Sequence, residues 1–294
     1  SSMLSVCGYM AVLGQGKQLH VHALTIGLDG SSMIRSALIS MYSKCGSIEE
    51  AFRIFDVGPN DDIVIWTAMV NGYAEHGCSH ETINLFEMIP IVGLKPDHIT
   101  FIGVLSACSH AGLVDLGFHY FNIMCKKYQI IPSQEHYGCL VDLLCRAGLL
   151  ADAECMIRSM PCKHNHVVWS TLLRACAING DFNRGITAAE QMFEVEPTSA
   201  WTHITLANMY SLKGWWREAG DIRKLMRSRG LVKEPGWSWI KIKNRVFKFV
   251  SGDWSHALGE ELCHILSLLT FRTEISDDAL VMDSFHCDED SPVI

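Results

Sequence analysis

Six glycines, Gly46, Gly77, Gly112, Gly148, Gly180 and Gly214, recur along the chain at intervals of 31, 35, 36, 32 and 34 residues. That spacing limits what the sequence can fold into. Four residues before each glycine stands a large or apolar anchor: Tyr42, Tyr73, Cys108, Leu144, Cys176 and Tyr210. Nine residues after the anchor comes a small residue, Ala51, Gly117, Ala153, Gly185 or Ala219, with Thr82 as the exception. A period of this length holds one helix–turn–helix unit, which cannot bury its apolar faces alone and must stack on its neighbours.

The pattern inside a unit agrees. Over residues 32–62, Ile34, Leu38, Met41 and Tyr42 make one apolar stripe, Gly46 and Ser47 the turn, and Ile48, Ala51, Phe52 and Phe55 a second stripe at helical spacing. Between units, stretches such as Pro59-Asn60-Asp61-Asp62, Lys95-Pro96-Asp97, Ile131-Pro132-Ser133 and Pro197-Thr198-Ser199 stop one helix and supply a cap for the next. The expected fold is all-α, a solenoid of paired antiparallel helices forming a right-handed superhelix over residues 1–228. From Trp237 the period changes to alternation, with Ser238–Lys243 and Val246–Val250 flanking Asn244-Arg245, which predicts a small C-terminal β-hairpin. A further helix near Leu258–Leu269 and a polar, acidic, disordered tail over 272–294 are expected after it. The longest uncharged stretches are broken by Ser, His and Gly and are too short for a membrane span.

The net charge of −8 conceals an asymmetry: residues 213–248 carry 11 Lys or Arg against 3 Asp or Glu, while 272–294 carry 1 against 7. A chain of this balance does not bind polyanions along its whole length, although the basic band from Arg223 to Lys248 could do so locally. Twelve cysteines lie mostly inside the helical pattern and read as reduced core residues. No Cys-x-x-Cys and no His-x-Glu occurs, so zinc-finger spacing and the zinc-deaminase signature are missing and no metal or other cofactor is expected. The pairs His20 and His22, His76 and His80, and His164 and His166 lack a completing ligand set. Ser109 and His110 with Asp115 lack a pocket and an oxyanion hole.

Several segments resemble a known family. "SALISMYSKCGSIEEAFRIF", "WTAMVNGYAEHG", "FIGVLSACSHAGLVDLGFHYF" and "YGCLVDLLCRAGLLADAECMIRSMP" are similar to pentatricopeptide repeats of the plant PLS subclass, whose motifs alternate in length. The resemblance divides the chain into a partial long motif at 1–31, a short motif at 32–62, a 35-residue motif at 63–97, a long motif at 98–133 and a final short one at 134–165. Residues 166–236 resemble paired E motifs, which are related to tetratricopeptide repeats, and 237–271 the hairpin-plus-helix extension. That extension usually leads into a DYW deaminase domain, for which the tail here offers no zinc ligands.

The resemblance implies single-stranded RNA read one base per repeat, by a residue early in the first helix and by the last residue of the motif. Carried onto this sequence, the pairs are Ser36 with Asp62, Thr67 with Asp97, Ile102 with Ser133 and Gly138 with Asn165, with Ser1 and Ser31 from the partial first motif. A carboxylate accepts from guanine N–H donors and a hydroxyl accepts or donates, whereas Ile102 and Gly138 offer no polar reader. The same residues also read as ordinary caps and first-turn residues. Trp215 and Trp216 stand where the resemblance places packing aromatics. What it implies overall is a non-catalytic specificity factor for cytidine-to-uridine editing in an organelle, the mitochondrion or alternatively the chloroplast. Such a factor brings its site to a deaminase or accessory protein acting through the E region. The competing expectation is a tetratricopeptide-like protein scaffold that never touches RNA.

Overall fold

All six recurring glycines adopt the left-handed backbone conformation, with φ between 68° and 82°. The residue after each glycine donates its N–H to the carbonyl of the anchor four residues before it: Ser47 to Tyr42, Cys78 to Tyr73, Leu113 to Cys108, Leu149 to Leu144, Asp181 to Cys176 and Trp215 to Tyr210, at 2.9–3.1 Å. This is the helix-ending bond that only a residue free of a Cβ closes without strain. The sequence beat is therefore a repeated backbone device.

A computed structural model of the chain describes residues 1–251 apart from 29, 59, 162–165, 233–234 and 243–244, together with 261–262 and 264–268. Its helices come in consecutive pairs: α1 (Ser2–Tyr9) and α2 (Leu13–Thr25), α3 (Ser32–Lys44) and α4 (Ile48–Val57), α5 (Ile63–Glu75) and α6 (Ser79–Ile91), α7 (His98–Ala111) and α8 (Val114–Lys126). The series continues with α9 (Gln134–Arg146) and α10 (Leu150–Ser159), α11 (His166–Asn179) and α12 (Phe182–Val195), and α13 (Ala200–Leu212) and α14 (Trp216–Ser228). Each first helix packs on its own second helix and on the first helix of the next pair, so α1, α3, α5, α7, α9, α11 and α13 form an unbroken row. Each second helix also touches the next first helix, and second helices meet one another through side chains, as where Tyr120 Oη of α8 donates to Glu87 of α6 at 2.8 Å and Arg184 of α12 pairs with Glu154 of α10 at 3.2 Å. The backbones of successive first helices approach closely and those of successive second helices do not, so the first helices form the inner row.

The small residues sit where the two helices of a pair approach. Ala51, Ala153 and Ala219 are fully buried, and a Cβ built on Gly185 would run into the Met209 methyl and lie 3.4 Å from Cys176 Cβ. Thr82, the exception in the pattern, is also fully buried; its Oγ1 satisfies itself on the Cys78 carbonyl at 2.8 Å. One stripe differs from its expected burial. Phe52 is 40% exposed, its ring leaning on Phe55 and Tyr73 at 6.2 and 6.3 Å rather than entering the core. The interior is continuous, with two clusters meeting on α9: Leu140 and Leu143 belong to the N-terminal one, Val141, Leu144 and Cys145 to the C-terminal one. Trp215 packs edge-on against Phe182 at 4.9 Å, whereas its neighbour Trp216 is 68% exposed.

Residues 1–231 form one compact unit and 232–294 another. In the second, β1 (Trp237–Ile242) and β2 (Arg245–Val250) pair antiparallel. Arg245 is thus a strand residue opposite Ile242, one position earlier than the alternation predicts. Residues 261–262 and 264–268 are helical; the expected tail at 272–294 and the ends of the 258–269 helix lie outside the described residues. No described helix is long and apolar enough to cross a membrane.

Candidate nucleic-acid interface

Ser36, Thr67, Ile102 and Gly138 are each the fifth residue of an inner-row helix, α3, α5, α7 and α9. Asp62, Asp97 and Ser133 are the N-caps of α5, α7 and α9, and Ser31 and Ser1 those of α3 and α1. Because successive first helices pack side by side, each fifth residue lies on a helix adjoining the one that carries its paired cap. Asn165 lies outside the described residues. The cap and reader expectations are thus compatible: a carboxylate caps with one oxygen and keeps the other.

The local approach to each cap is built by the preceding connection. Buried Arg35 donates to the carbonyls of Ile54 and Phe55 at 3.0 and 3.2 Å, ending α4, and to Asn60 Oδ1 at 3.2 Å. Trp66 Nε1 donates to the Asn60 carbonyl at 2.9 Å. So anchored, the segment delivers Asp62, whose Oδ1 accepts from Val64 N–H at 3.0 Å.

Thr67 and Asp97 are joined through a residue that motif matching passes over. Thr100 N–H and Thr100 Oγ1 both donate to Asp97 Oδ1, at 2.8 and 2.7 Å, and Thr67 Oγ1 lies 2.6 Å from Thr100 Oγ1. A hydroxyl has one proton, and that of Thr100 is already given to Asp97, so Thr67 donates to Thr100. Thr67 is left with lone pairs, and Asp97 with Oδ2. The pair presents acceptors only. Ser36 reaches the same state differently, donating to the Met33 carbonyl at 3.2 Å, and no hydrogen bond joins it to Asp62.

Ser133 is held by His136. The Nε2 of His136 faces the His98 carbonyl at 2.9 Å, an acceptor, so Nε2 carries the ring proton. Nδ1 then accepts from Ser133 N–H at 3.0 Å and from Ser133 Oγ at 2.7 Å. The ring is fully buried, and burial is the main cause that pushes its pKa below the ordinary 6.5, keeping it neutral. The sign of the pH effect follows. Above pH 6.5 neither folded nor unfolded chain protonates this ring; below it the unfolded chain takes up a proton first, and stability falls until the lower folded pKa is passed. Expected is a stability gap between wild type and His136→Gln that is constant above about pH 7 and narrows as pH drops below the reference value; urea titrations at several pH values read it.

Ile102 is half-buried, and its carbonyl accepts from Cys139 Sγ at 3.9 Å. Gly138 has nothing within 4 Å of the place where a Cβ would stand. It opens a cleft of about 530 Å³ lined by Cys139, Asp142, Ser109 and Thr171. A second cleft of about 670 Å³ shares Asp142, Ser109 and Thr171 and adds Arg146 and Arg174. Asp142 accepts from Ser109 Oγ and Arg146 Nε, each at 2.7 Å, with Arg174 at 3.6 Å. Ser109 therefore serves Asp142, and His110 faces the Ala74 carbonyl at 3.1 Å. Burial pushes the thiols of Cys139, Cys145 and Cys176 up to about 12 and that of Cys108 up to about 11, so none is a nucleophile near neutral pH. No group of three or more His, Cys, Asp or Glu side chains able to hold a metal occurs among the described residues.

Thr100 and His136 were not among the expected site residues, yet the signal was present. Asp97-x-x-Thr100 and Ser133-x-x-His136 have capping-box spacing, whereas Ile34 and Ile65 hold the corresponding positions after Ser31 and Asp62.

Comparison with known proteins places this geometry. The PPR repeat model matches residues 34–57, 64–93 and 135–164, and the E motif model residues 180–241. A pentatricopeptide repeat-containing protein of Arabidopsis thaliana is 56% identical over 274 residues, covering 93% of this chain and 39% of its own length. A mitochondrial one from the same plant is 42% identical, covering 89% of this chain and 43% of itself. A chloroplastic one is 39% identical, covering 97% and 33%. The chain thus spans less than half the length of these relatives. The crystal structure of maize PPR10 superposes with a TM-score of 0.54 at 25% identity, covering 67% of this chain and 29% of that one. The crystal structure of PPR10 with an 18-nt psaJ RNA element reaches a TM-score of 0.65 at 19% identity, covering 78% and 35%. With the repeats and the E motif in one chain and relatives at this identity, it belongs to the pentatricopeptide repeat family.

Proposed function

We propose that the inner row binds single-stranded RNA, one base per repeat, and that the chain is part of an organellar specificity factor for cytidine-to-uridine editing. The observation that carries the RNA reading is the acceptor-only pair of Thr67 and Asp97, fixed by the Thr100 hydroxyl. Guanine offers two N–H donors side by side on its Watson–Crick edge, the complement of two adjacent acceptors. Ser36 and Asp62 offer the same groups one repeat earlier, so two successive guanines are the preferred partners there. Ser133 presents a lone-pair oxygen beside apolar Ile102, and Gly138, which the register pairs with Asn165, leaves room in place of a reader; both give weaker preference. Ser1 and Ser31 serve the partial first motif. The motif register at 32–62, 63–97, 98–133 and 134–165 is the frame of this reading. It is supported by the family membership and by the RNA bound to the maize protein of like fold.

The editing role rests on the E motif at 180–241. In this reading residues 166–236 form paired E motifs and 237–271 their extension, and together they recruit a deaminase or accessory protein in trans, the chain itself being non-catalytic. Relatives named mitochondrial and chloroplastic support an organelle, of which we assign the mitochondrion, with the chloroplast the alternative.

The test separates the two halves. Deleting 166–294 is expected to leave binding of residues 1–165 to a short RNA confined to the stretch the repeats read within about threefold, a change of under 1 kcal/mol, while abolishing editing in organello. The purified chain is expected to bind RNA and convert no cytidine, with or without zinc. Editing that survives the deletion, or deamination by the isolated chain, would overturn the recruitment reading.

A further inference from the structure

The strands of the hairpin carry an unusual combination of groups. Between Trp237 and Val250 stand Lys241, Lys243, Arg245 and Lys248 and no acidic residue, in a chain whose net charge is −8. Cross-strand register pairs Trp237 with Val250 and Trp239 with Lys248, and residues two apart on a strand share a face. One face therefore bears both indoles with Lys248 beside them. The indoles are 60% and 61% exposed, their centroids 5.1 Å apart and their planes tilted by 35°. The opposite face carries Ser238, Ile240, Ile242, Phe247, Phe249 and Arg245, so both indoles stand on the side of Lys248.

We propose that this Trp237–Trp239–Lys248 face is a second RNA-binding surface, which stacks unpaired bases on the indoles while Lys248 neutralises a backbone phosphate. Two exposed indoles beside a cation, on strands with three basic residues and no acidic one, match a single-stranded polyanion whose bases present flat rings. A protein partner matching the patch would need acidic groups spaced to it, whereas every single strand supplies phosphate and base together. Stacking is indifferent to base identity, so this surface adds affinity for RNA lying beyond the stretch that the repeats read. The inference rests on the RNA reading above but makes a separate demand on the molecule.

The full chain is titrated with an oligouridylate of about twenty nucleotides, long enough to exceed the ~4–16 nucleotides that one compact single-strand site covers. Trp237→Ala with Trp239→Ala is expected to weaken binding by about 5- to 100-fold, the loss typical of one stacked base. Trp237→Phe with Trp239→Phe, which keeps a flat ring at both positions, should stay within about threefold of wild type, because stacking tolerates the exchange. Lys248→Glu is expected to weaken binding and to lower the salt slope by about one ion; it leaves both rings in place and so guards against a misfolded alanine variant. The same alanine variant should lose its factor equally on RNAs that differ at a base read by Thr67, with base preference intact. If base preference is absent in wild type while the tryptophan dependence remains, the repeat reading fails and this one stands. A wild-type chain that does not bind oligouridylate overturns the proposal. So does an alanine variant that binds as wild type, or one that keeps RNA affinity and loses a protein partner.

Discussion

Thr67→Asn with Asp97 retained is expected to shift the preferred base at one RNA position from guanine towards uracil. The wild-type pair presents acceptors only, because the Thr67 proton is spent on Thr100 and the Thr100 proton on Asp97. An asparagine amide brings a donor into that pair. Uracil has one N–H flanked by two carbonyls, so the amide N–H meets a carbonyl while Asp97 accepts from the ring N–H. Discrimination of about 1–3 kcal/mol, as for a good direct base contact, is the expected size. Binding to four RNAs differing at a single base reads it; equal weakening on all four would mean that Thr67 only shapes the helix. Thr100→Val supplies the control. This residue is fully buried and unavailable to RNA, yet its loss should blunt the guanine preference by freeing the Thr67 proton and the Asp97 carboxylate.

Phe101→Ala should cost the most stability of any single change near the site, about 3–5 kcal/mol. The ring is fully buried and makes edge contacts with Phe86 at 5.1 Å and Tyr128 at 5.5 Å. It therefore links the α5–α6 pair to the α7–α8 pair, and its removal leaves a cavity at the boundary. In a stacked array each pair is stabilised by its neighbours alone, so the loss should appear locally. Backbone amides of α7 are expected to exchange with solvent at least a hundredfold faster, roughly the factor that 3 kcal/mol implies, while those of α13 stay as in wild type. Uniform acceleration along the whole unit would contradict this nearest-neighbour picture.

The fold was legible because its signal is a backbone requirement. A glycine in the left-handed region after Tyr42, Tyr73, Cys108, Leu144, Cys176 and Tyr210 leaves a mark that survives changes in the side chains around it. Burial was less legible: Phe52 fits the apolar stripe, but its direction is set by Phe55 and Tyr73, which the helical period does not encode. The reader positions came from the family resemblance, not from local chemistry, since Asp97 and Ser133 also look like plain caps. The bond connecting Thr67 to Asp97 was hidden for another reason. It runs through Thr100 on the next first helix, and only the stacking of α5 on α7 brings the two threonines together.

The contrast between the two helical layers has a mechanical consequence. Along the inner layer, neighbouring units are joined by close backbone approach and by bonds such as His76 Nε2 to the Ser43 carbonyl and His136 Nε2 to the His98 carbonyl, while the outer helices meet through side chains, as in Tyr120 with Glu87 and Arg184 with Glu154. A strip sewn tightly along one edge and tacked along the other resists stretching at the seam and yields more readily at the tacked edge. The spacing along the row of first helices is therefore the stiffer coordinate and the splay of the outer helices the softer one, so thermal bending changes the inner spacing least.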